Sequence, residues 1–219
     1  MADLTLIIGN KNYSSWSLRP WFFMQFHQMG FEEIRVPLFT KDTDQQLSAY
    51  NSDSKVPVLQ DGDLTVWDTL AIMEYLSETY LDNKGWPQDR KSRAFARSIS
   101  AEMHSSYSHI RNELPMNCRK NFTHILPSAE ALREINRITH LWASCRQQHS
   151  NAGPWLFGGF SIADAMFAPI ALRFNGYNIN LSDEAQSYVE LILNHPAIKK
   201  WIESGKQELE VITEDEVEI

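Results

Sequence analysis

The sequence predicts an α/β unit of order βαβαββα followed by an all-α bundle. Short apolar runs alternate with helix-period segments through residue 80. A polar stretch with Gly85 and Pro87, "DNKGWPQDR" (82–90), then reads as a connection. Every apolar pattern beyond it has helical period. The expected organisation is an α/β domain over 1–81, a linker over 82–90 and a helical domain over 91–219.

Each element has a local reason. "LTLII" (4–8), bounded by Gly9 and Asn10, reads as a buried strand. Leu18, Trp21, Phe22, Phe26 and Met29 recur at helical spacing up to Gly30, with Pro20 near the helix start. "EIRVPLF" (33–39) is a second strand whose Pro37 suggests an edge position or an early end. A short helical piece over 43–50 leads to "VPVLQ" (56–60) and "LTVW" (64–67), which flank "DGD" as a hairpin. Leu70, Met73, Leu76 and Tyr80 then share one helical face.

In the second half, residues 90–114 read as one long helix ending near Pro115. Helices over 128–150 and 161–174 follow, and two more near 184–194 and 196–206 are divided by "NHP". Ser128 is the expected cap of the second, and Ser161 with Asp164 has capping-box spacing at the start of the third.

Composition narrows the function classes. The net charge is −8, and six acids lie in residues 208–219; without them the rest carries −2. The acidic run reads as a solvated end, and the lack of a basic face argues against nucleic acid as a partner. No apolar run approaches the length of a membrane span, and the start lacks the pattern of a signal peptide. Two isolated cysteines, Cys118 and Cys145, make no disulfide framework and fit a reducing, cytoplasmic setting. No metal-ligand run is present, and none is expected at His104 and His109.

The chemistry-bearing stretch is "NKNYSSWSLRP" (10–20), where hydroxyls crowd a strand-to-helix junction. Such hydroxyls either cap the helix or form a site for an anion or thiolate. Taken with "KVPVL" (55–59), "LTVWDTLAIMEYL" (64–76) and "PWLFGGFSIADAMFAP" (154–169), the chain resembles the cytosolic glutathione S-transferase family over nearly its whole length. Within the family it is most similar to zeta-like and related bacterial members. Their Ser-Ser-Cys stretch aligns with Ser14, Ser15 and Trp16, so the thiol is replaced and mixed-disulfide chemistry loses support.

The resemblance implies a thioredoxin-like first domain, glutathione as co-substrate or cofactor, and a cytoplasmic homodimer engaged in detoxification. It implies Ser14, with Ser15 close behind, as the hydroxyl that stabilises the thiolate of glutathione; Tyr13 is a third candidate. A thiol of ordinary pKa, about 8.5, needs such help at neutral pH. Val56 before a cis Pro57 would hold the peptide backbone, Lys55 the glycyl carboxylate, and Asp68 and Thr69 the γ-glutamyl end. His104, Tyr107 and Arg111, spaced to share one face of the long helix, would line the pocket of a small electrophile. The implied activity is thiolate attack on that electrophile. A maleylacetoacetate-type cis–trans isomerase and a non-catalytic binding or regulatory protein are the alternatives.

Overall fold

The first strand, β1 (Leu4–Ile8), is apolar on both faces because both are covered. Leu6 and Ile8 pack with Leu18, Phe22, Ile72 and Leu76, whereas Ile7 joins Val36, Leu47 and Val58 on the opposite side. The molecule is a computed structural model describing residues 4–50 and 53–217. It runs β1, α1 (Ser15–Phe26), β2 (Glu32–Arg35), α2 (Thr43–Ser48), β3 (Val58–Asp61), β4 (Leu64–Val66) and α3 (Thr69–Tyr80). The sheet order is β2-β1-β3-β4, with β1 and β2 parallel and the other two pairs antiparallel. A thioredoxin-like α/β unit is therefore followed by helices alone: α4 (Arg90–Ser105), α5 (Ser108–Glu113), α6 (Ala129–His149), α7 (Ile162–Gly176), α8 (Asp183–Asn194) and α9 (Pro196–Lys206). No helix among the described residues is long and apolar enough to cross a membrane.

The hairpin turns at Gly62, whose φ of 56° lies in the left-handed region that glycine adopts at little cost. Strand β2 stops two residues before Pro37 and forms the sheet edge. Ser128 caps α6, its hydroxyl accepting from the Ala131 N–H at 3.1 Å. At the start of α7 the Asp164 carboxylate accepts from the Ser161 N–H at 2.9 Å, as the capping-box spacing predicts. Asp164 also accepts from the Leu156 N–H and the Tyr188 hydroxyl, and burial pushes its carboxyl up to about 6.

Three expectations need correction. Helix α1 begins at Ser15, so Pro20 lies inside it and Met29 beyond its end. The chain enters the helix directly from the serines, and Ser14 becomes the cap.

The expected long helix over 90–114 is broken. Helix α4 ends at Ser105, Tyr107 sits at φ 65°, and α5 starts at Ser108. Ser105, Ser106 and Ser108 cluster at the break, and serine hydroxyls compete with the helical backbone for hydrogen bonds. Arg111 then folds back to donate to the freed carbonyls of Met103 and Ser106.

The acidic tail is only partly solvated: Glu214 is exposed, but Glu208 and Glu216 on either side of it are docked. Glu208 is buried and accepts from the N–H groups of Lys11 and Asn12 at 2.7 and 3.0 Å. Glu216 accepts from the Tyr13 hydroxyl at 2.5 Å and pairs with Lys120. Helix α9 reaches the same loop so closely that a Cβ at Gly205 would lie 3.1 Å from Asn12 N. The reason is electrostatic: the β1–α1 loop offers unpaired N–H groups, and Arg35, Arg119 and Lys120 surround the acids.

Candidate active site

The site forms where β1 ends and α1 starts. The Ser14 hydroxyl is committed within the turn: it donates to Ser17 Oγ at 2.8 Å and accepts from the Ser17 N–H at 3.3 Å. Ser17 Oγ in turn accepts from the Gly9 N–H, tying the strand end to the helix. Ser15 occupies the first helical position, faces the cleft and is 5% exposed. Its Oγ accepts from Arg173 at 3.4 Å, which leaves its own hydrogen free for a ligand.

Opposite lies the start of α3. Asp68 caps that helix, with Oδ1 accepting from the Leu70 N–H at 2.8 Å and Oδ2 lying 2.6 Å from His104 Nε2. The Thr69 hydroxyl donates to the Trp16 carbonyl at 2.9 Å, so it joins α3 to α1 rather than facing solvent. Its N–H lies in the first turn of α3, where backbone donors have no helical partner. Between these helices the Val56–Pro57 peptide is cis, in keeping with the resemblance. Val56 precedes the first paired residue of β3, Val58, so its N–H and C=O lie outside the ladder. Lys55 is largely exposed beside Asp53 at 3.4 Å.

Ser14, Ser15, Lys55, Val56, Pro57, Asp68 and Thr69 thus line one cleft of about 1020 Å³, together with His104 and Arg111. Tyr107 is not brought there. The break between α4 and α5 turns it inward, where its hydroxyl donates to Glu102 at 2.6 Å. Tyr13 contributes to the wall, but its hydroxyl is taken by Glu216 and by Arg119 at 2.5 Å. Burial and the Glu216 carboxylate raise the pKa of that phenol. Among the described residues no cluster of three or more potential metal ligands occurs.

Sequence reasoning missed three parts. Trp16 is sandwiched between guanidiniums, 4.6 Å from Arg19 and 4.8 Å from Arg111, with the His104 ring edge-on at 5.2 Å. Arg19 and Arg173 are buried, and their pKa values are lowered by burial and by neighbouring arginines, that of Arg173 to about 10. A lone arginine inside "MFAPIALRF" was the available signal, because a charge in an all-apolar helix needs a partner. The third part is the tail, which adds Ile212 and Asp215 to the cleft. No local pattern marks that contact.

A thioredoxin-like unit with a ligand-sized cleft against a helical bundle defines the structural class. Within it, residues 13–79 match the glutathione S-transferase N-terminal domain family. A glutathione S-transferase of Arabidopsis thaliana is 31% identical over 173 residues, covering 73% of this chain and 62% of that protein. The match therefore spans less than two thirds of that relative's length. The maleylacetoacetate isomerase of Rattus norvegicus is 29% identical over 178 residues, covering 78% of each chain. The fold is shared with a Burkholderia glutathione transferase homologue solved with bound glutathione, at TM-score 0.68 and 23% identity over 93% of this chain and 98% of that one.

Proposed function

We propose that this chain is a glutathione transferase that binds glutathione as a thiolate and directs it at a small electrophile. The observation that carries the reading is the convergence of three ligand-facing features on one cleft. These are the free Ser15 hydroxyl at the start of α1, the unpaired backbone of Val56 before cis-Pro57, and the open N-terminal turn of α3 behind Asp68. The residues fit the tripeptide. Val56 can pair with the cysteinyl unit as a short strand. The Thr69 N–H suits the γ-glutamyl carboxylate, Asp68 its ammonium and Lys55 the glycyl carboxylate.

Ser15 is the hydroxyl that donates to sulfur in this reading, and Ser14 holds the helix start, because the Ser14 hydrogen is already used by Ser17. Bound glutathione supplies the nucleophilic sulfur. The helix N-terminus and the Arg173 guanidinium add positive potential there, which favours the anion. His104 orients Asp68 for the ammonium. We further assign the protein a homodimeric state, to be checked by light scattering on a sizing column.

Retention on immobilised glutathione, followed by the thiolate absorbance of the complex against pH, tests the core of this reading. Absence of retention, or a bound thiol that titrates like free glutathione, would refute it and favour a non-catalytic binding protein. The likeness to the rat isomerase supports a second outcome of the same thiolate, cis–trans isomerisation by addition, rotation and elimination. Comparing maleylacetone isomerisation with chloronitrobenzene conjugation decides between the two outcomes.

A further inference from the structure

The tail forms part of the cleft wall and places a carboxylate inside it. Glu208, bound by the N–H groups of Lys11 and Asn12, anchors its beginning. Glu216, bound by Tyr13 and by Asn117 Nδ2 at 3.1 Å, anchors its end. Arg119 donates to the carbonyls of Glu208 and Glu210 between them. The segment so fixed turns Ile212 and Asp215 toward the cleft that Ser15, Arg111 and Arg173 line. Asp215 is half-buried, its carboxyl raised mainly by burial and drawn back by the Arg173 charge.

The charges around this half of the cleft can be balanced one against another. Arg19, Arg111 and Arg173 form no ion pair among the described residues. Arg19 donates to the carbonyls of Met166 and Ser15, Arg111 to those of Met103 and Ser106, and Arg173 to that of Leu114 and to Ser15 Oγ. The carboxylates that act on Arg19 and Arg173 are Asp68 and Asp215. Glu134 acts on Arg111 from α6, but it is engaged by the N–H groups of His109 and Ile110. Beside Ser15, the lining guanidiniums Arg111 and Arg173 thus share one carboxylate, Asp215, and a glutathione thiolate supplies the second negative charge. With that anion bound, no uncompensated positive charge remains for the electrophile.

We propose that Asp215, carried into the cleft by the tail, sets the charge selectivity for the second substrate. With Asp215 present the cleft takes an uncharged electrophile, and without it the cleft takes one bearing a carboxylate. The inference rests on the conjugating outcome of the transferase reading, since maleylacetone bears a carboxylate, and assigns a substrate class to the same site. The side chain of Asp215 makes no hydrogen bond or ion pair among the described residues, so Asp215→Asn leaves the tail anchors intact.

The test compares kcat/KM at saturating glutathione for two electrophiles, chlorodinitrobenzene and a chlorodinitrobenzoate, each scaled to its uncatalysed reaction with glutathione. The wild-type protein favours the uncharged electrophile. Asp215→Asn shifts the ratio toward the carboxylated electrophile by about tenfold, the effect of a unit charge about 10 Å away at an effective dielectric constant of about 20. Glu214→Gln, which removes an exposed acid one residue away, leaves the ratio unchanged. If both electrophiles react and Asp215→Asn leaves the ratio unaltered, or Glu214→Gln alters it equally, the role of Asp215 is overturned while the transferase reading stands. If neither reacts, both fall together.

Discussion

Replacing Ser15 with Ala removes the cleft-lining hydroxyl at the helix start whose hydrogen is uncommitted. Hydrogen bonds to a charged partner are worth about 1.5–3 kcal/mol. At about 1.4 kcal/mol per pKa unit, loss of the bond raises the bound thiol by about one to two units. Ser15 is 5% exposed, so water has little room to replace the donor, and the upper part of that range applies. Turnover at neutral pH should then fall about 10- to 100-fold, with glutathione affinity changed far less. Ser14→Ala should leave the thiol pKa near wild type and instead cost about 1 kcal/mol of stability as a lost helix cap. The measurements are thiolate absorbance against pH and urea unfolding for both variants. A thiol pKa that moves in Ser14→Ala and stays fixed in Ser15→Ala would refute the reasoning: the Ser14–Ser17 bond would then be one that ligand binding breaks.

Other regions make further predictions. Glu208→Ala should destabilise by about 3 kcal/mol, since it strips charge-assisted acceptors from two buried N–H groups; urea unfolding reads it out. Ser161→Ala should cost about 1 kcal/mol and leave glutathione affinity unchanged by calorimetry, because the lost hydroxyl bonds Asp164 at the start of α7 and does not line the cleft. His27 is half-buried among Phe23, Phe26 and Phe160 with its Nε2 unpartnered among the described residues, and desolvation lowers its pKa. On acidification below about pH 6.5 the unfolded chain takes up the proton first, so stability falls as the pH drops toward the folded value. His27→Phe should therefore lose less stability than wild type between about pH 7 and about pH 5.5. An equal loss in both would show that His27 plays no part.

The α/β order was legible because each of its signals is local. The apolar "LTLII", the Asp61-Gly62 turn and the helix period after Asp68 each specify an element from its own residues. The break at Tyr107 was not legible. A serine cluster only weakens a helix, and packing of the Tyr107 ring against the core decides that the chain turns there. That decision separates residues whose spacing implied one shared face: His104 and Arg111 reach the cleft and Tyr107 does not.

The same division runs through the candidate site. By itself the sequence determined which residue types crowd the α1 start, where the turn before Pro57 falls and which residues open α3, because caps and turns depend on a few neighbouring residues. Only the tertiary structure decided which hydroxyl keeps a free hydrogen, that Arg19 and Arg111 clasp Trp16, and that the acidic tail closes onto the β1–α1 loop. Those outcomes depend on contacts between segments far apart in the chain, such as Glu208 with Lys11 and Arg173 with Ser15. Unpaired N–H groups and buried guanidiniums find their partners only when the chain has folded, and no local pattern records which partners those are.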